Sequence, residues 1–95
     1  MSLEGIYEEL AIGVEELMRL SSLFYKRKMD KELESQIWQL SCKIEKMLKR
    51  LGGSLYENHK VMIHKIRIFL ENPHIEPYAM ISQECLEFHN RLKEL

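Results

Sequence analysis

The sequence predicts an all-α fold, a four-helix up-down bundle, and three observations carry that expectation. Apolar residues recur at alternating steps of three and four along four segments, the spacing that gathers side chains on one helix face. The chain holds only four glycines and two prolines, so its elements should be long and their connections short. Its 95 residues, 45% of them hydrophobic, suit a single domain over 1–95 with one modest core rather than a disordered chain.

The first helix is expected over 3–28. Its seam reads Leu3, Ile6, Leu10, Gly13, Leu17, Leu20 and Phe24. Gly13 sits on that seam and would let another helix approach closely. Glutamates open the segment and Lys26, Arg27 and Lys28 close it, which complements the helix dipole. The second helix, over 31–51, follows Asp30 as N-cap and carries Leu33, Ile37, Leu40, Ile44, Met47 and Leu51. Gly52-Gly53 ends it, because glycine accepts the left-handed conformation just past a helix. Ser54-Leu55-Tyr56-Glu57 reads as a capping box opening a third helix over 55–71, with Leu55, His59, Met62, Ile66 and Phe69 on its seam. Asn72-Pro73 stops it. Pro77 suits the first turn of a fourth helix over 77–94, whose seam is Tyr78, Ile81, Cys85, Phe88, Leu92 and Leu95.

One junction allows a second arrangement. No glycine or proline separates Phe24 from Leu33, and Tyr25, Met29, Leu33 and Ile37 extend a stripe at steps of four. Helices one and two could then form a single rod, with the other two folding back, and a partner chain would be needed to bury its seam. The mean helix length of about 11–12 residues favours the broken form.

Charge is balanced in total and uneven along the chain. The formal net charge is −1, which gives no general polyanion-binding signature. Residues 1–25 carry five glutamates against Arg19, whereas residues 26–67 carry eleven Lys/Arg against five acids. Neighbouring helices of opposite charge explain this pattern, and so would a basic face for an acidic partner. Nucleic acid is not the expected partner: the Lys26-Arg27-Lys28-Lys31 run has no interleaved aromatic platform. A nucleic-acid accessory role through the basic 26–67 region remains an alternative function. The acidic start does not resemble a signal peptide, and no apolar run approaches the ~20 residues that cross a bilayer. A cytoplasmic protein with reduced Cys42 and Cys85 is the expectation, with no membrane and no cofactor.

Several large apolar residues lie off the seams. Ile12 and Leu23 share the Glu16 and Arg19 side of the first helix. Val61 and Ile68 stand seven apart, opposite Met62 and Ile66. Ala79 and Leu86 repeat that spacing on the fourth helix. A second apolar stripe on a bundle helix marks either a buried central position or a subunit interface. These six residues are therefore the candidate interface of a homodimer or of a contact with another protein.

Polar chemistry has fewer candidates. His59 and His64 are five apart and point to different sides, and proline interrupts Glu71-Asn-Pro-His74, so no metal site is expected. His59 lies on an apolar seam and should hydrogen-bond to Tyr7, Tyr25 or Ser41. His64 should face outward between Lys60 and Arg67. That segment resembles histidine phosphotransfer domains, in which basic neighbours stabilise a phosphoryl group; Ile68 stands where that family has glycine. Arg67 and His74, six residues between them, with Tyr78 beyond, resemble the Arg and His pair of HEPN ribonucleases. There Ile68 replaces the polar residue that follows the arginine. Those two resemblances imply a phosphoryl carrier or an RNA phosphodiesterase. The preferred expectation is a non-catalytic, self-associating protein-protein interaction or adaptor module.

Overall fold

The computed structural model describes the backbone of residues 3–94 and the side chains of residues 5–57 and 59–94. Helices follow in the order α1 (Leu3–Lys26), α2 (Lys31–Leu51), α3 (Gly53–His59), α4 (Val61–Glu71) and α5 (Ile75–Glu94), with no strand among the described residues. The short α3 runs into α4, and the two together make one arm of a four-armed all-α bundle. The arms close in a ring: α1 packs on α2 and α5, α5 on α4, and α3 and α4 on α2. The longest dimension is 38 Å, about the length of α1 alone at the usual rise per residue. Positions Leu3 and Leu95 of the outer stripes lie outside the described side chains.

The seams meet in one core. Leu10, Val14 and Leu17 from α1, Ile37, Ile44 and Leu48 from α2, Met62, Ile66 and Phe69 from α4, and Ile81, Cys85 and Phe88 from α5 are fully buried. Each such large side chain contributes about 1.5–3 kcal/mol relative to exposure. Phe24 meets Phe69 edge-on at 5.6 Å, and Tyr25 stacks on Tyr78 at 4.6 Å, tying the end of α1 to α4 and α5. Toward the other end of α5, His89 Nε2 lies 2.8 Å from Glu15 Oε1. The pairings 25 with 78 and 15 with 89 show that α1 and α5 run antiparallel.

The single-rod arrangement is overturned. α1 stops at Lys26, and Met29 takes a positive φ of 73°. Asp30 then accepts hydrogen bonds from the amides of Glu32 and Leu33 at 3.0 and 3.1 Å. Two first-turn donors are thereby satisfied without a preceding turn, and the reversal lets the α1 and α2 seams bury one another within one chain. At the other end of α2, Gly52 has φ 62° and donates to the Leu48 carbonyl at 2.9 Å, and Gly53 follows at φ 61°.

The expected 55–71 helix differs in two ways. It starts at Gly53, and Ser54 makes no capping hydrogen bond, because Gly52 occupies the cap position. It also divides at Lys60, which keeps helical dihedrals of −62° and −27°. The interruption is therefore a shallow bend and not a reversal. The last helix begins at Ile75, two residues earlier than expected, leaving Pro77 in the first turn where its missing N–H costs nothing.

Candidate interaction surfaces and polar sites

The apolar residues left off the seams reach the surface with one exception. Val61 and Ile68 are 45% and 39% exposed on the outer side of α4, and Ile12 is 66% exposed on α1. Ala79 and Leu86 are exposed on α5. Leu23 is half-buried and packs against the core. The structure adds Met80, exposed on α5. Lys65 on α4 bonds Glu84 on α5, and with the antiparallel register this places Met80 on the same flank as Ile68. The sequence hides Met80 because it interrupts no seam and repeats at no heptad with its neighbours.

Val61 and Ile68 do not share a groove with Ile12. The surface beside Ile12 is a cleft between α1 and α2 made of three adjoining depressions. A depression of about 560 Å³ is lined by Glu9, Lys43, Lys46, Met47, Lys49 and Arg50. One of about 280 Å³ follows, over Ile12, Gly13, Leu40 and Met47. A third of about 330 Å³ continues over Leu20 and Leu40 toward Gln36 and Gln39. Gly13 sets the depth of this cleft. A Cβ at that position would lie 3.4 Å from Ile44 Cγ1 and 3.9 Å from Leu40 Cδ1, so α1 and α2 leave room there for a methyl group and little more. Glu16 on the α1 rim is held by Arg19, whose hydrogen bond and charge lower the carboxyl pKa. Lys43, Lys46, Lys49 and Arg50 on the α2 rim take part in no ion pair among the described residues. The steps of three, three and one between those four residues were the signal for this rim in the sequence.

The polar candidates are dispersed. His64 is exposed, as its place on α4 predicts. Its basic neighbours are engaged elsewhere: Lys60 pairs with Glu57 at 2.8 Å, and Arg67 lies over the Trp38 ring at 4.8 Å. His74 is exposed in the turn before α5. Among the described residues, neither the His64 nor the His74 ring makes a hydrogen bond or ion pair. No group of three metal-ligating side chains converges among those residues. Trp38, on α2, is exposed under that guanidinium. Lys65 is turned to Glu84, so Lys60, Lys65 and Arg67 are drawn to three different partners.

The expected hydrogen bond of His59 is not formed. Its ring is buried at the end of α3, 4.5 Å from the Phe88 ring, and neither nitrogen has a partner. Tyr25 is stacked on Tyr78, and the Ser41 hydroxyl donates to the Trp38 carbonyl at 2.8 Å. Burial lowers the His59 pKa, helped by Arg91 and opposed by Glu84 and Glu87. Sequence reasoning passed over His89, which is buried and links α5 to Glu15. Glu15 therefore serves an interhelical bond although it lies on the exposed side of α1. Cys85 is a core residue as expected, and burial pushes its thiol pKa up to about 12.

No helix among the described residues is long and apolar enough to cross a membrane. Comparison with protein-family models, with curated proteins and with solved structures gives no match.

Proposed function

We propose that this chain is a protein-protein interaction module that works by self-association through α4. The observation that carries the reading is the exposed Val61 and Ile68 pair on the face of α4 turned away from the core. The bundle is already closed without these two side chains, so intramolecular packing gives no reason for them. Two apolar residues one heptad apart on a short exposed helix suit their own copy across a twofold axis, because such an axis presents the same stripe to itself. Met80 widens the patch on the α5 side, and Lys65 with Glu84 supplies a polar border.

The dispersed polar residues give less support to phosphoryl transfer at His64 or to RNA cleavage by Arg67 and His74. Each chemistry needs a cation free to meet a phosphate, and Lys60 and Arg67 already face Glu57 and Trp38.

Sedimentation equilibrium tests the proposal. The wild type should sediment as a dimer at concentrations of tens of micromolar, and Val61→Glu with Ile68→Glu should give a folded, soluble monomer. A wild type that stays monomeric throughout the accessible concentration range refutes self-association.

A further inference from the structure

The cleft between α1 and α2 has a composition that selects its occupant. Its floor is apolar, made by Ile12, Leu40 and Met47, and its α2 rim carries four cations without ion-pair partners among the described residues. From Gln36 to Arg50 it follows about 21 Å of the α2 axis, or four helical turns. We propose that this groove takes an acidic amphipathic helix of a partner protein, its apolar stripe over Ile12, Leu40 and Met47 and its carboxylates toward Lys43, Lys46, Lys49 and Arg50.

Charge complementarity decides the sign. Glu16 is neutralised by Arg19, which leaves Glu9 facing four basic side chains along the groove. A neutral apolar helix would leave those cations uncompensated, and a basic one would be repelled. The shape decides the form. The groove lies between two helix axes and offers no free backbone edge, so a strand would gain no ladder hydrogen bonds there, whereas a helix can lay one face along it. Gly13 keeps the middle of the floor open, since a side chain larger than a methyl there would press on Ile44 and Leu40.

This inference rests on reading the chain as an interaction module, but it uses a surface to which α4 and α5 contribute no lining residue. The probe is a fluorescein-labelled helical peptide of about 15 residues, with leucines at steps of three and four and glutamates on the flanking faces. Fluorescence anisotropy with wild-type protein should show saturable binding that weakens as salt is raised. The double substitution Lys43→Glu with Lys46→Glu should weaken it roughly tenfold or more by turning attraction into repulsion. Its thermal melt should stay that of the wild type, since both side chains are exposed. Ile12→Ser should weaken binding through the floor while leaving the salt dependence in place. Absence of binding overturns the proposal. So does equal binding of a scrambled peptide of the same composition or of a single-stranded oligonucleotide, the mark of a surface that accepts any polyanion. A protein that dimerises yet ignores the peptide refutes the groove alone; one that binds the peptide as a monomer refutes only self-association through α4.

Discussion

Replacing His59 by leucine should stabilise the domain, and by more at acid pH than at alkaline pH. The ring is buried with both nitrogens unpaired. Each unsatisfied buried polar group costs about 1–3 kcal/mol relative to its hydrated state. Leucine removes both and forfeits the ring contact with Phe88, a loss of about 0.5–1.5 kcal/mol. With each nitrogen taken at the low end of that range, the balance is a gain of about 0.5–1.5 kcal/mol, and a domain of this size gains about 4–8 °C in Tm per kcal/mol. The pH dependence follows from proton uptake. Burial, reinforced by Arg91, holds the folded imidazole pKa below its ordinary value of about 6.5, against the opposing pull of Glu84 and Glu87. Between those two values the unfolded chain binds the extra proton, so wild-type stability is full above about 6.5 and falls as pH drops toward the folded value. His59→Leu lacks this loss. Urea melts followed by circular dichroism at pH 8 and pH 5 should show a positive difference at pH 8 that widens at pH 5. A variant less stable than wild type at pH 8, or a difference that shrinks at pH 5, refutes the account of an unpaired buried ring.

Gly13 and the two thiols give further tests. Gly13→Ala should raise stability by about 1 kcal/mol, because alanine is the better helix former and its Cβ would make an ordinary contact with Ile44. Gly13→Leu should lower it by about 1–3 kcal/mol by forcing α1 away from α2, and equal melts for the two variants would contradict the close approach. Cys42 is half-buried and Cys85 is buried with its pKa pushed up to about 12, so native protein should label at Cys42 alone and at both thiols only after denaturation. Mass spectrometry of the alkylated chain reads this directly, and modification of native Cys85 would contradict its place in the core.

The fold was legible because a three-four stripe needs nothing but local periodicity. Asp30, Gly52 and Pro73 act within a turn of their own positions, so the ends of α2 and α4 could be read as well. Ser54 misled because a capping box is a local pattern that Gly52 pre-empted by taking the cap position with a positive φ. The bend at Lys60 left no mark, since its dihedrals remain helical. Leu48 is fully buried although the stripe favoured Leu40, which opens instead into the α1–α2 cleft. The outward positions of Val61, Ile68 and His64 followed from the helical wheel. The pairing of Glu15 with His89 did not, because it joins residues 74 positions apart and depends on which helices become neighbours. The missing partner of His59 was equally hidden, since a sequence shows which hydroxyls exist and not where they are already committed.

The packing of α1 against α5 bears on how the chain assembles. The α1–α2 and α4–α5 pairs join segments linked by short turns, so they can form through local search. The α1–α5 contact, closed by Tyr25 on Tyr78 and His89 on Glu15, joins opposite ends of the chain. Its loop-closure entropy must be met before any of its contacts can reward it. Substitutions at this seam should therefore act mainly on the unfolding rate, leaving the refolding rate close to that of the wild type. The last interface to close is then the first to open, and it sets the lifetime of the native bundle more than the speed of its formation.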